Sequence, residues 1–271
     1  MANEYSIAVL LPSRARTDSL TTSITSLVER ATEPEKIQIL FGFDDDDEIG
    51  LRHFSEIIQP YLDQHNIHYE AQAFDSMGYA GLNRYYNHLG NLADADWLFV
   101  WNDDAVMETH SWDQVIKSYT GQFRVLKVHT HNEHPYSIFP IVPKSWVDLL
   151  GCLSRHQMID AEISQNAYSL DIIQIVDIDV THEQSELTGQ QDSTSQRKYR
   201  FEGNLNDPRD FHFRDTVLKR RDDCYLLAQH MRSLGLDTTF FEKVCTDQQD
   251  PWEKLKQNDI NGCMFQFTQR V

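Results

Sequence analysis

Positive charge is scarce in this chain: Lys and Arg number 24 against 42 Asp and Glu, a net charge of −18. A nucleic-acid binder needs a basic footprint to neutralise phosphates, and a protein docking on anionic lipid needs one too, so neither partner is expected. An anionic small molecule can still bind if local arginine or a metal overcomes the global field. Cysteine is also sparse. Cys152, Cys224, Cys245 and Cys263 are scattered with no C-x-x-C pair, which reads as reduced thiols and not as a disulfide framework. No apolar run approaches the ~18 residues of a membrane span. Residues 1–12 lack the basic start, long apolar run and cleavage site of a secretory signal. The expectation is a soluble, cytoplasmic protein without a membrane span. No internal repeat is visible.

What is present is an alternation of short apolar runs and helical periods. Residues 5–12 form an apolar run ending at Pro12. Thr17 or Asp18 then caps a helix whose apolar positions Leu20, Ile24, Leu27 and Val28 keep helical spacing. Residues 36–43 read as a second strand, followed by a helix to about residue 61. Residues 67–74 read as a third strand, 79–92 as a helix and 97–101 as a fourth strand. Strands that are apolar on both faces belong to the buried centre of a parallel sheet, and β-α alternation implies right-handed crossovers. Farther on, 111–119, 144–153, 158–170 and 215–234 have helical spacing, the last stopping at Gly235. Residues 124–129, 136–142 and 172–180 look like strands. Residues 183–199 are polar and nearly free of apolar anchors, the signature of a loop or linker.

Three strand ends carry chemistry. Pro12, Ser13, Arg14, Ala15 and Arg16 leave the first strand, and arginine suits bidentate contact with phosphate. A solvated turn with two surface arginines is the plainer alternative. Residues 44–47 are four consecutive aspartates ending the second strand. A calcium loop built on Asp45, Asp47, Gly50 and Glu56 fails at Ile49, where a ligand is expected, and a strand precedes it. Carboxylates at Asp44 and Asp45 suit a ribose or base edge instead, as acids after the second strand do in nucleotide-binding sheets. The fourth strand runs through Trp97, Phe99 and Trp101 and stops in Asn102, Asp103 and Asp104. Carboxylates at the end of a buried strand need a positive partner, and a divalent ion carrying a phosphate substrate fits, since oxygen ligands suit magnesium and manganese. An Asx-rich turn is the alternative. Ligands of open α/β sheets collect at these carboxyl ends, so the three ends share one crevice.

The order of these pieces resembles a GT-A glycosyltransferase of the large inverting family that includes cellulose and chitin synthases and many O-antigen enzymes. The resemblance covers roughly residues 5–185. It rests on residues 7–16 with Leu20, Ile24 and Leu27, the acidic end of strand two, residues 78–84 (Gly-Tyr-Ala-Gly-Leu-Asn-Arg) and residues 91–104. In that family a helix carrying an Asn precedes a D-x-D strand end, an order matched here by Asn83 and then Asn102, Asp103 and Asp104. The first Asp of that motif is Asn102, which keeps an oxygen ligand and loses a charge. The resemblance therefore implies Asp104 as the metal contact. It also implies a general base at the acidic helix start, Asp160 or Glu162, although carboxylates in a first helical turn are common. It implies that His182, after the 172–180 strand, completes the metal shell, with imidazole an acceptable ligand. The nearby residues 183–199 would then order over bound donor. His129, His131 and His134 lack the fourth ligand of a zinc site.

The expectation is an α/β protein with a GT-A mixed sheet over residues 1–185, followed by a polar loop and mainly helical extension over 186–271. Its expected activity is transfer of a sugar from a UDP- or GDP-linked donor to a hydroxyl acceptor such as a saccharide. That transfer would be inverting and would use Mn2+ or Mg2+. A nucleotidyltransferase on a related sheet is an alternative, but it wants a glycine-rich phosphate loop, and residues 11–20 contain no Gly. A protein that binds a divalent cation or sugar nucleotide without turnover is the other alternative.

Overall fold

The computed structural model describes residues 3–130, 136–182 and 204–247. The apolar runs form strands whose alternate residues build two separate cores, as a period of two requires. In β1 (Tyr5–Ser13) Ile7, Val9 and Leu11 enter one cluster, while Ala8 and Leu10 enter the other. The same division runs through β2 (Ile37–Asp44), with Ile39, Phe41 and Phe43 opposite Leu40. In β4 (Ala95–Val100) Trp97 and Phe99 lie opposite Leu98 and Val100. β3 (His68–Phe74), at the sheet edge, is half exposed and carries His68, Glu70 and Gln72, polar side chains that discourage edge pairing.

One core face is covered by α1 (Thr17–Arg30). Two buried serines of this helix bind the strand ends: Ser23 Oγ accepts from Trp101 Nε1 at 2.8 Å and Ser26 Oγ accepts from Met107 N at 2.9 Å. After β2 comes α2 (Glu48–His53), which continues through a π-helical turn at Phe54–Ile58 into α3 (Gln59–Gln64). Phe54 and Ile58 complete the first core. A 3-10 turn at Tyr79–Gly81 leads into α4 (Leu82–Leu92), which packs on the other face.

β5 (Ala105–Met107) follows β4 at once, then α5 (Trp112–Lys117), β6 (Val125–Thr130) and β7 (Ile141–Pro143). Next come α6 (Lys144–Leu150), α7 (Ile159–Leu170) and β8 (Ile173–His182), and beyond them α8 (Arg214–Ser233) and α9 (Thr239–Asp247). The eight strands lie in the order β3-β2-β1-β4-β7-β6-β8-β5. The β3-β2-β1-β4 half is parallel, so the ends of β1, β2 and β4 share one edge. β7 is antiparallel to both neighbours, β6 and β8 are parallel, and β5 pairs antiparallel with β8, opposing Ala105 to His182.

The structure differs from the sequence reading at two places, residues 136–140 and β5. Residues 136–140 are irregular and only Ile141–Pro143 is strand. Pro140 has no N–H for a ladder, and the N–H of Ser137 is taken by Ser164 Oγ at 2.9 Å. β5 was unforeseen, since three residues are too few to show a period. The C-terminal helix α8 shares the second core through Cys224, Leu227, Ala228 and Met231, and α9 adds Phe241. The stop at Gly235 is as expected: its φ of +72° lets Leu236 N bond Met231 O at 2.9 Å, a left-handed closure glycine makes without strain. No described helix is long and apolar enough to cross a membrane. Residues 183–199, and His131 and His134 of the histidine cluster, lie outside the described residues.

Candidate functional site

The segment leaving β1 is bent by Ala15, which has a left-handed φ of +54°. Asp47 holds that bend. Its Oδ2 accepts from Ala15 N at 2.8 Å and its Oδ1 caps α2 by accepting from Gly50 N at 3.0 Å. A Cβ on Gly50 would lie 2.2 Å from that carboxylate, so the close approach needs glycine. Because β1 lies between β2 and β4, the bend sends Arg14 to the β2 end and Arg16 to the β4 end.

At the β2 end, Arg14 donates to Asp44 Oδ2 and to Asp46 Oδ1, each at 2.5 Å. Tyr85, from α4, donates a short hydrogen bond to Asp44 Oδ1 and accepts from Met77 N at 3.0 Å. Burial first, and then the Asp44 carboxylate, push the Tyr85 phenol up to about 12. The Arg14 hydrogen bond holds Asp46 below the usual carboxylate range. Asp45 stays out of this nest: it is exposed and bonds through its backbone N–H to Phe74 O at 2.8 Å. Of the neighbouring aspartates it is Asp46, and not Asp45, that joins Asp44 on Arg14.

At the β4 end, Ser13 Oγ donates to Asp103 Oδ2 at 2.8 Å. One guanidinium nitrogen of Arg16 reaches Asp103 Oδ1 at 3.1 Å and Asp104 Oδ2 at 2.6 Å. The β5–β8 pairing brings His182 Nε2 to 3.1 Å from Asp104 Oδ1 and 3.4 Å from Asn102 Nδ2. Phe139 meets the imidazole edge to face at 5.2 Å. Tyr86 donates to Trp101 O at 2.7 Å and to Asn102 Oδ1 at 3.2 Å. The two adjacent aspartates are driven apart. Burial pushes Asp103 up to about 6 against the pull of Arg16, with Asp104 adding to the rise. Burial also pushes Asp104 up, but His182 and Arg16 outweigh it and hold this carboxyl below its ordinary value.

Among the described residues no group of three or more His, Cys, Asp or Glu side chains is disposed to hold a metal ion. Asp104 Oδ1 and His182 Nε2 nevertheless fit as two ligands of a magnesium- or manganese-like ion. Adjacent octahedral ligands at ~2.1 Å from the metal lie ~3 Å apart, near the 3.1 Å separation here. Such ions commonly take one or two carboxylates and complete their shell with water and substrate phosphate.

Asp160 opens α7 and is half-buried, close enough for its charge to help raise the phenols of Tyr86 and Tyr136. Glu162 points the other way. Its Oε1 accepts from Arg155 N at 2.6 Å, it feels the charges of Arg220 and Asp223, and burial pushes it up to about 7. Its surroundings are the packing of α7 on α8, whereas the charge of Asp160 reaches Tyr86 beside Asn102. Asn83 occupies the first turn of α4, half-buried, on the helix that delivers Tyr85 and Tyr86 to the two nests. Pro12, paired with Gly42, is the last strand residue before Ser13. His129 is exposed at the end of β6. Sequence reasoning did not single out Tyr85 and Tyr86, and it weighed Asp46 and Asp47 only as members of the aspartate run. The tyrosines' helical spacing reads as core, and only their hydroxyls betray a second task.

No family model matches the chain, and no curated protein matches it by sequence. Solved structures do. S. aureus TarS 1–349 in complex with UDP-GlcNAc is similar with a TM-score of 0.60 and 10% identity, over 83% of this chain and 71% of that one. The mannosyltransferase PcManGT from Pyrobaculum calidifontis, in complex with GDP-Man and Mn2+, has a TM-score of 0.54 and 7% identity over 96% of this chain and 85% of that one. A further structure of S. aureus TarS matches with a TM-score of 0.54 and 11% identity over 66% of this chain, which spans only 37% of that one. The mixed sheet flanked by helices is therefore a GT-A-like glycosyltransferase fold, as the motif order implied.

Proposed function

We propose that this chain transfers a sugar from a nucleoside-diphosphate donor to a hydroxyl acceptor, with inversion. One observation carries the reading. A single arginine-bearing bend lies between two carboxylate nests at the shared strand edge of a GT-A-like fold. The similar structures bound to UDP-GlcNAc and to GDP-Man with Mn2+ support a nucleotide-sugar partner.

In this reading Asp44 and Tyr85 receive the base or ribose, and Arg14 moves between them and the phosphates. Asn83 borders that side. Arg16 contacts the diphosphate. Asp104 and His182 hold Mn2+ or Mg2+, with Asn102 and Asp103 behind them. When bound, the ion supplies charge neutralisation for the departing nucleoside diphosphate. Asp160 takes the proton of the acceptor hydroxyl as that oxygen attacks the anomeric carbon, and one displacement inverts the centre. Tyr86 orients Asn102 from behind.

Incubation with UDP- and GDP-linked sugars plus Mn2+ tests this directly. Release of nucleoside diphosphate, with the anomeric configuration of the product read by NMR, is the expected result. Pyrophosphate release from a nucleoside triphosphate would make the chain a nucleotidyltransferase. Tight binding of sugar nucleotide without turnover, even with a broad acceptor panel, would make it a binding protein.

A further inference from the structure

Arg16 gives the β4 end its counter-charge. Its guanidinium bridges Asp104 Oδ2 and Asp103 Oδ1, while Ser13 and His182 engage the other two carboxylate oxygens. The two aspartates are 10% and 13% exposed and Arg16 is 33% exposed, so the cation lies on the open side of the pair. A guanidinium there offsets the same two negative charges that a divalent ion would offset. The two cations compete. An ion on Asp104 Oδ1 and a guanidinium on Oδ2 of the same carboxylate repel each other in a half-buried site, where screening is weak. A diphosphate resolves the conflict, because its oxygens offer the fork of Arg16 a charge-assisted partner outside the carboxylate pair.

We propose that Arg16 is a resident counter-ion to Asp103 and Asp104, one that a metal must displace and a diphosphate draws away, so that metal and nucleotide bind with strong positive cooperativity. The inference rests on the glycosyltransferase reading of this site. It differs from a simple bridging metal in one respect: removing Arg16 improves binding of the metal by itself. By linkage, whatever factor the nucleotide adds to metal affinity, the metal returns to the nucleotide.

The test titrates Mn2+ into wild-type and Arg16→Gln protein, with and without saturating UDP or, separately, GDP, reading free Mn2+ by electron paramagnetic resonance. Wild type is expected to bind Mn2+ weakly alone and on the order of 100-fold more tightly with the nucleoside diphosphate it accepts. Arg16→Gln should bind Mn2+ alone about tenfold more tightly than wild type, and its enhancement by nucleotide should fall about tenfold. Arg16→Lys should lie between, keeping the charge without the fork. Arg16→Met gives the same readout should the glutamine variant not melt cooperatively. Unchanged or weaker Mn2+ binding in the neutral variants, with the nucleotide enhancement intact, overturns the counter-ion role and leaves the glycosyltransferase reading standing. Independent binding of Mn2+ and nucleotide by wild type overturns it too. Failure of wild type to bind Mn2+ under any of these conditions removes the metal from the functional reading as well.

Discussion

Replacing Glu162 with Gln should change how stability depends on pH while leaving transfer nearly intact. Glu162 is 2% exposed, its Oε1 is bound by Arg155 N, and its Oε2 meets no hydrogen-bond partner among the described residues. Burial is the largest cause of its rise from the ordinary 4.5 to about 7, opposed by Arg220 and the Arg155 N–H. At 1.36 kcal/mol per pH unit that rise corresponds to ~3 kcal/mol. The sign follows from the direction. With the folded-state pKa above the unfolded one, Glu162's contribution is fully present below 4.5 and is lost as pH rises through about 7. Glutamine does not titrate, so the stability of Glu162→Gln relative to wild type should climb by ~3 kcal/mol between about pH 4.5 and about pH 8. Urea unfolding across that range, with unchanged m-values, measures it. Curves parallel to within about 0.5 kcal/mol would mean that Glu162 stays ionised against Arg220, and the burial argument would fail. The same variant should keep its transfer rate within a few-fold. A folded Glu162→Gln that loses ~10²-fold or more would move proton removal from Asp160 to Glu162.

The remaining expectations concern the site itself. Asp104→Ala should abolish Mn2+-dependent nucleotide binding, and His182→Ala should weaken it, in calorimetric titrations; unchanged affinity in both would refute the metal assignment. Asp160→Asn should bind donor normally and lose ~10²–10⁴-fold in transfer rate, and an undiminished rate would make it an ordinary first-turn carboxylate. Asp47→Ala removes a helix cap worth ~1 kcal/mol and a charge-assisted bond to Ala15 worth ~1.5–3 kcal/mol. Its unfolding free energy should thus fall by ~2.5–4 kcal/mol, with weaker nucleotide affinity as the Arg14–Arg16 bend loosens; a loss below ~1 kcal/mol would show that the bend is held by something else.

Local sequence determined most of the elements, though not β5 or the irregular stretch 136–140. Runs such as residues 7–11, 39–43 and 97–101 are apolar on both faces, which no solvated strand tolerates, so they had to be the buried centre of a sheet. Their abrupt charged ends, arginines after the first run and aspartates after the other two, marked one edge, and Gly235 marked the end of α8, because a left-handed residue closes a helix. Which of several adjacent acids faces the crevice was decided elsewhere. Asp44 and Asp46 meet Arg14 while Asp45 does not, since the turn after β2 is fixed by Asp47 reaching back to Ala15, 32 positions earlier. Asp160 and Glu162 diverge because α8 buries one side of α7, an apposition invisible to the periodicity of either helix. His182 meets Asp104 across 78 positions only because a three-residue strand, β5, pairs with β8 at the far side of the sheet. Periodicity reports whether a residue is buried. Which residues meet is set by strand order and by loops whose backbone conformation depends on distant partners, and that information exists only once the chain has closed on itself.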